Sequence, residues 1–352
     1  LIASSAVALI VACALGLTLA FEFGSESTWW IELLRYAPFL AYLLPAFVVL
    51  GLTLWLGWTW RVAAVGAVSL MMTQVMGLSL GLGKAAEIPE AAATAPADPA
   101  SVRMMTYNIK SYRAASRRDG FDQIAEEIGG HDPDIIVMQD AHELVNSGLP
   151  QEMLAVLPHR KFYSNGQYVV ASRYPLRDCK PGDIAFGSGK QTYVRCTVTV
   201  AGNPVDLFVA HFITPREGLN AARHEQIGGM DDWQQNFASR LTQAHKLETD
   251  LIKRDRHRPV IVAGDLNAAE HSPVVQNLLA TGLRDAFSTA GVGYGYTVGH
   301  ALKPGLSFLR IDHILVSPEI GVRSCITGWR GASEHRPVIA DLVLPSAKMG
   351  SK

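Results

Sequence analysis

The stretch Val260 to Asn267, VIVAGDLN, decides how this chain is read: an apolar strand runs into a glycine and then presents Asp265 and Asn267 with one leucine between them. Side chains alternate along an extended segment, so the carboxylate and the amide are aimed the same way while Leu266 turns back into the core. A carboxylate beside an amide at a strand end can hold a water, a cation or a phosphate. Gly, Asp and Asn are also ordinary turn residues, so in isolation the stretch reads equally well as a strand that stops. Its meaning depends on what the other strand ends carry.

Several repeat the pattern. Met104 to Tyr107 ends at Asn108, Ile135 to Met138 ends at Gln139-Asp140, and VDLFVAHF closes on His211 and Phe212. LRIDHILV holds Asp312 inside an apolar run, and Ser333-Glu334-His335-Arg336-Pro337 precedes the strand Val338 to Leu344. Burying one unpaired carboxylate is expensive, so several that converge imply a cation or a cationic partner among them. Oxygen donors with two histidines and no cysteine suit Mg²⁺ or Mn²⁺ better than zinc. Such a site best serves attack on a phosphate ester.

At 352 residues the chain has room for one large domain and something smaller, and its net charge of -1 gives no electrostatic reason to expect a protein that coats nucleic acid. The apolar excess lies in the first eighty or so residues. Ile2 to Phe21, Leu33 to Trp58 and Val62 to Leu82 are runs of membrane-crossing length, and Trp29, Trp30, Trp55, Trp58 and Trp60 cluster at their edges. The expectation is a lipid-bilayer anchor of three transmembrane helices over residues 1–83, with residues 2–82 in contact with lipid. Arg61 favours a cytoplasmic turn between the second and third runs, while Arg35, in reach of Glu32 one turn earlier, and Lys84 pull the other way. The orientation expected is multi-pass in the cell membrane, with an odd number of crossings and the second domain outside the cytoplasm. Residues 84–100, rich in Ala and Pro, read as an extended linker, 101–346 as the second domain and 347–352 as a tail. Cys13, Cys179, Cys196 and Cys325 show no metal-ligand spacing. Cys179 and Cys196 could meet on neighbouring strands, but unpaired buried thiols are the expectation.

Within the second domain, Phe121, Ile124, Ala125 and Ile128 recur at helical spacing and stop at Gly129-Gly130. Three antiparallel strands follow from Tyr168, and then a helix whose apolar stripe runs from Trp233 to Leu251. The pieces MTYNIK, IIVMQD, VASRYPL, VAHF, VAGDLN, RIDHILVS and SEHRPV, in that order between Val102 and Leu344, resemble the endonuclease/exonuclease/phosphatase superfamily. The resemblance implies an α/β (α+β) domain, a four-layer sandwich of two mixed β-sheets flanked by helices, here preceded by the three expected membrane helices. Two positions depart from the family pattern: Asp140 stands where glutamate is usual, and Glu334 where aspartate is usual. Both keep the charge and change its reach by one methylene.

Carried over by position, the resemblance implies a hydrolase in which Asp140, with Asn108 and Glu334, holds Mg²⁺ or Mn²⁺. Asp265 would orient and deprotonate the attacking water, and Asn267 would fix the phosphate. Glu334 or Asp312 would orient an imidazole, and His335 would act on the phosphate as donor or base. His211, Arg195 and Tyr193 would contact phosphate oxygens. Spacing does not decide which group is the base. The substrate class implied is a phosphate ester, either nucleic acid or a lipid headgroup, with the loop Phe212 to Met230 selecting between them; no obligate protein partner is implied. A competing reading is a membrane-tethered scaffold that keeps the fold without turnover, for which the exchanged acids at Asp140 and Glu334 are the support.

Overall fold

Twelve strand-forming runs pair into two six-stranded sheets. In a computed structural model, which describes residues 2–37, 40–81, 100–187, 189–224, 226–298, 307–329 and 331–345, they are numbered in chain order. The first are β1 (Ala100–Asn108), β2 (Ile135–Gln139), β3 (Lys161–Asn165) and β4 (Tyr168–Ser172). Next come β5 (Leu176–Asp183), β6 (Thr192–Val200), β7 (Asn203–His211) and β8 (Val260–Asp265). The last are β9 (Arg284–Asp285), β10 (Asp312–Val316), β11 (Gly321–Thr327) and β12 (Val338–Leu344). One sheet runs β11-β12-β1-β2-β4-β3, with β1 and β2 parallel; the other runs β9-β10-β8-β7-β6-β5, with β7 and β8 parallel. The remaining pairs are antiparallel, so both sheets are mixed, as the resemblance implied.

The period of two along each strand builds the core. Val102 and Met104 of β1 and Ile135 and Val137 of β2 face inward and share one cluster with Val205, Leu207 and Val209 of β7, Ile261 and Ala263 of β8, and Ile314 and Val316 of β10. The residues between them, such as Met105, Tyr107, Ile136 and Met138, turn outward onto Ile124 and Ile128 of the helix Gly120–His131. Strands covered on both faces read as nearly continuous apolar runs, which is how β2 and β8 looked in the sequence.

The chain divides into two compact units, and the sandwich belongs to the one comprising 80–214, 238–270 and 274–352. The other comprises 1–79, 215–237 and 271–273. Among its described residues one helix, Ile2–Glu22, is long and apolar enough to cross a membrane, where three had been expected. The second apolar run is divided between the helices Trp29–Arg35 and Leu40–Leu52, the latter with Pro45 inside it. The third yields the helix Trp58–Leu70 followed by a π-helical turn, Met71–Val75. Apolar composition continues through these breaks although the α-helix does not. Within this unit Arg35 Nε meets Glu32 Oε2 at 3.2 Å, the one-turn pairing that the sequence allowed, and Ser272 Oγ donates to Glu32 Oε1 at 2.7 Å. Trp233 Nε1 donates to the Trp29 carbonyl at 3.0 Å.

Cys179 and Cys196 form a disulfide rather than two free thiols. The ladder between β5 and β6 shifts register between Arg177 and Lys180, and that irregularity leaves the two Cα atoms 4.1 Å apart. Cys325 is a buried free thiol. Residues 84–99 of the expected linker and the tail 347–352 lie outside the described residues.

Gly264 pairs with Ala210 in the parallel ladder at φ +151°, and a Cβ there would sit 1.8 Å from the Ala210 carbonyl oxygen. Neither the backbone nor its neighbour has room to give. Gly264→Ala is expected to cost about 3 kcal/mol or more, read as a depressed thermal midpoint or as loss of folded protein; an unchanged midpoint would show that the strands part there freely.

Candidate active site

The alternation that packs the core also places the polar groups. Val205, Leu207 and Val209 point between the sheets, so the next residue in phase on β7 is His211; Ile261 and Ala263 lead in the same way to Asp265, and Val102 and Met104 lead through Thr106 to Asn108. On β10 the inward residues Ile314 and Val316 are preceded in phase by Asp312, which lies opposite Asp265 in the antiparallel ladder. Four strands therefore change from apolar to polar at one end of the inter-sheet core.

The groups meet around Asp265, which is buried. Asn108 Nδ2 donates to its Oδ2 at 2.8 Å, and the Asn267 amide donates to its Oδ1 at 2.9 Å. His211 Nε2 lies 3.5 Å and His335 Nε2 3.8 Å from the same Oδ2. His335 Nδ1 is bonded to Asp312 Oδ2 at 2.9 Å, and Ser333, which accepts from the His335 amide, donates to the Asn108 carbonyl at 2.7 Å. Burial opposes charge on His335, but the Asp312 and Asp265 carboxylates outweigh it and raise its pKa. For His211 burial wins over the attraction of Asp265 and lowers the pKa.

Asp265, Asp312 and His335 bring one ligand atom each within 4.8 Å of one another. Asp312 Oδ1 is buried and has no hydrogen-bond partner among the described residues. An orphaned carboxylate oxygen in an oxygen-rich cluster fits a hard divalent cation such as Mg²⁺ or Mn²⁺. Of the three ligands implied by the resemblance, Asn108 joins this cluster. Asp140 is tied to Lys110 Nζ at 2.8 Å and Glu334 to Arg113 Nη1 at 2.7 Å. Burial opposes charge on both partners of the Lys110–Asp140 pair, but mutual attraction raises the lysine pKa and lowers that of the aspartate.

Asn267 sits beside Asp265 with φ +50°, and its side-chain amide is spent on the Phe212 carbonyl at 2.8 Å. Tyr193 and Arg195 do not join the cluster. Val194, Cys196 and Val198 are the inward residues of β6, so their neighbours face the other way. Tyr193 donates to Asp250 at 2.7 Å and Arg195 to Asp206 at 2.8 Å, in a separate recess that both line. Three contributors were not read from the sequence. Lys110 neutralises Asp140, Gln167 holds His211 Nδ1 at 2.6 Å, and Ser333 links the His335 segment to β1. The Lys110 signal was its position two residues beyond Asn108; Gln167 has none, because its partner lies 44 residues away.

Behind this centre lies a second buried polar group. Arg310 binds Glu270 and, at 2.8 Å, Asp285, and His313 bridges Asp285 at 2.8 Å to the Ala268 carbonyl at 2.9 Å. Asp285 also caps its helix by accepting from Ser288 N, while His313 holds the segment immediately after Asn267. Burial would raise the Asp285 pKa, but Arg310 and His313 overcome it and depress it well below the carboxylate range. A depressed folded-state pKa gives stability that is present above the unfolded value of about 3.9 and is lost as pH falls through the folded value. Urea unfolding at stepwise pH from 5 to 2 is expected to show a steeper loss in the wild type than in Asp285→Asn, which is the less stable protein at pH 7. Parallel slopes would mean that Asp285 does not carry the titration.

Two mixed sheets closing on a buried carboxylate and imidazole cluster define the class, an α/β sandwich. The model of the Endonuclease/Exonuclease/phosphatase family matches residues 105–335, and the chain belongs to that family. Among solved structures it is similar to an endonuclease/exonuclease/phosphatase from Bacteroides vulgatus, at 22% identity over 70% of this chain and 99% of that one, with a TM-score of 0.53. It is similar also to truncated TDP2 of Caenorhabditis elegans, at 17% identity over 69% and 97% of the two chains, with a TM-score of 0.51. A third is the mannosyl-6-phosphatase of Bacteroides thetaiotaomicron, at 17% identity over 69% and 100%, with a TM-score of 0.50. No curated protein matches the chain by sequence.

Proposed function

We propose that this protein is a membrane-anchored, divalent-metal-dependent phosphoesterase that hydrolyses phosphodiester or phosphomonoester bonds by attack of water. The observation that carries the reading is the convergence of Asp265, the Asp312–His335 pair and His211 at one end of the core. The carboxylates of Asp265 and Asp312 would hold Mg²⁺ or Mn²⁺, with Asp140, Asn108 and Glu334 as the further ligand set that the family pattern suggests. A bound cation polarises the phosphoryl oxygen and stabilises charge on the leaving oxygen.

The chain's own groups divide the remaining work. Asp265, its carboxylate oriented by amide donors on both oxygens, orients the attacking water and accepts its proton. His335, its Nδ1 tied to Asp312 and its pKa raised by the Asp312 and Asp265 carboxylates, presents Nε2 as a donor to a phosphate oxygen. Burial lowers the pKa of His211, and its Nδ1 is held by Gln167. Arg195 and Tyr193, turned to the other face of β6, are left out of the phosphate-binding set.

The helix Ile2–Glu22 supplies the anchor, and an anchor raises the local concentration of any substrate at the bilayer. Lipid-headgroup esters and nucleic acids are both consistent with the site, and the name of one structural relative, a mannosyl-6-phosphatase, keeps small phosphomonoesters in view. The Cys179–Cys196 disulfide supports a sandwich outside the cytoplasm, since such bonds persist in oxidising compartments. Alkylation of the protein in native membranes without reductant, followed by peptide mass spectrometry, is expected to recover these two cysteines as one linked pair. Two separately alkylated peptides would place the domain in a reducing compartment.

The central test is release of nitrophenol from bis(p-nitrophenyl) phosphate by the full chain with Mg²⁺ or Mn²⁺. Asp265→Ala, assayed on the protein that remains folded by circular dichroism, is expected to lower kcat by about 10²–10⁴-fold. Absence of any metal-dependent release by the wild type, on diester and monoester alike, would sink the enzyme and restore the scaffold reading.

A further inference from the structure

On the helix Gln226–Lys253, two fully buried side chains one turn apart are polar, Arg240 and Gln243. Their helix neighbours Leu241, Ala244, Leu247 and Leu251 are buried and apolar, the stripe that packing alone requires. Burying a guanidinium and an amide beside that stripe carries a desolvation cost that leucine or methionine would avoid. Their partners account for their presence.

Gln243 Oε1 accepts from the Ile213 amide at 2.8 Å, and its Nε2 donates to Gln191 Oε1 at 2.5 Å, which fixes the end of the amide that faces Ile213. Arg240 Nη1 donates to the Asn267 carbonyl at 3.1 Å. Ile213 lies two residues beyond His211 and Asn267 two beyond Asp265, and His211 and Asp265 are register partners at the ends of the parallel strands β7 and β8. The two ends are also joined to each other. The Phe212 amide donates to the Asp265 carbonyl at 3.0 Å, and Asn267 Nδ2 donates to the Phe212 carbonyl at 2.8 Å. One turn of helix therefore closes a hydrogen-bonded ring through Gln243, Ile213, Phe212, Asn267 and Arg240. Packing alone does not require each polar side chain to take a different strand end at the same offset from its functional residue. Asn267, at φ +50°, is held in that ring in a conformation its surroundings must determine.

We propose that Arg240 and Gln243 are positioning residues, which from one helical turn set the spacing between the His211 imidazole and the Asp265 carboxylate, 3.5 Å from Nε2 to Oδ2. Both are fully buried, so they act through the two strand ends and not on a substrate. The inference rests on the phosphoesterase reading and adds to it the residues that keep its strand-borne groups in register. A misplacement of about 1 Å costs on the order of 10²-fold in rate, so a clamp of this kind acts on turnover more than on binding.

The test replaces each residue by methionine, similar in length and without hydrogen bonds, in the full chain in detergent, and follows hydrolysis of bis(p-nitrophenyl) phosphate with Mn²⁺. Arg240→Met and Gln243→Met are each expected to lower kcat by about 10–10²-fold per folded molecule, with KM held within about twofold. Arg240→Lys, which keeps a donor for the Asn267 carbonyl, is expected to recover most of the loss. Because one ring holds both strand ends, the double variant loses less than the product of the two single losses. A kcat that is unchanged once corrected for the folded fraction by circular dichroism, a loss confined to KM, or single losses that simply multiply overturns the proposal. Where a methionine variant does not fold, Gln243→Asn, one methylene too short for the Ile213 amide, serves instead, and wild-type kcat in it overturns the proposal. If the wild type hydrolyses no ester, the phosphoesterase reading has failed, and amide hydrogen exchange decides this one separately. Faster exchange of Gln243→Met in residues 264–268, on the other strand, as well as in 211–214 supports the clamp; faster exchange confined to 211–214, or none, overturns it.

Discussion

Asp265 is the group on which the candidate centre depends, because it is a buried carboxylate at the place where two sheets stop being apolar. Leaving such a group without partners in a protein core would cost several kcal/mol. The chain satisfies it from three directions: the Asn108 amide from the other sheet, the Asn267 backbone two residues on, and the imidazoles of His211 and His335. One of these partners is itself held by Asp312, its cross-strand neighbour. Removing the carboxylate therefore disturbs both sheets, which couples the fold to the chemistry proposed for it.

The backbone bears the cost of this arrangement. Lys110, Asp140 and Asn267 have φ values of 47°, 51° and 50°, in a region that non-glycine residues occupy sparingly. Lys110 and Asn267 lie just past strand ends that contribute to the centre and Asp140 just past β2, and such conformations persist only when their surroundings determine them. The Lys110–Asp140 ion pair joins two of the three, and Arg240 Nη1, donating to the Asn267 carbonyl at 3.1 Å, holds the third. His313 fixes the next carbonyl along. The strained positions are thus tied down by buried cations and imidazoles rather than by packing alone.

How much of this the sequence disclosed follows from what each signal encodes. Alternation within VIVAGDLN and VDLFVAHF encodes which face a residue takes, so Asp265 and His211 could be placed from pattern alone. Applied to TYVRCTVTV, the same rule sets Val194, Cys196 and Val198 inward and excludes Tyr193 and Arg195; a likeness in residue type had been allowed to override the phase. Apolar composition does not encode helix continuity, so the breaks between Arg35 and Leu40 and at Gly57 were invisible within apolar runs that looked continuous. The disulfide depended on an irregular register between β5 and β6, and a bulge has no sequence signature strong enough to prefer it over two thiols. Gln167 and Ser333 were illegible for a simpler reason: their partners are distant in sequence and their side chains are unremarkable without them.

The two histidines show why position in the cluster matters more than residue type. Both are buried and both approach the same oxygen of Asp265, yet their pKa values move in opposite directions. His335 has Asp312 on its far nitrogen, a second carboxylate that overcomes the desolvation of its cation. His211 has the neutral Gln167 amide there and the Lys110 ammonium in range, so desolvation prevails. Titratable groups pushed apart by their surroundings are how one pocket supplies a proton donor and a neutral imidazole at the same pH. Here the separation is produced by the Asp312 and Asp265 carboxylates for one imidazole and by burial for the other.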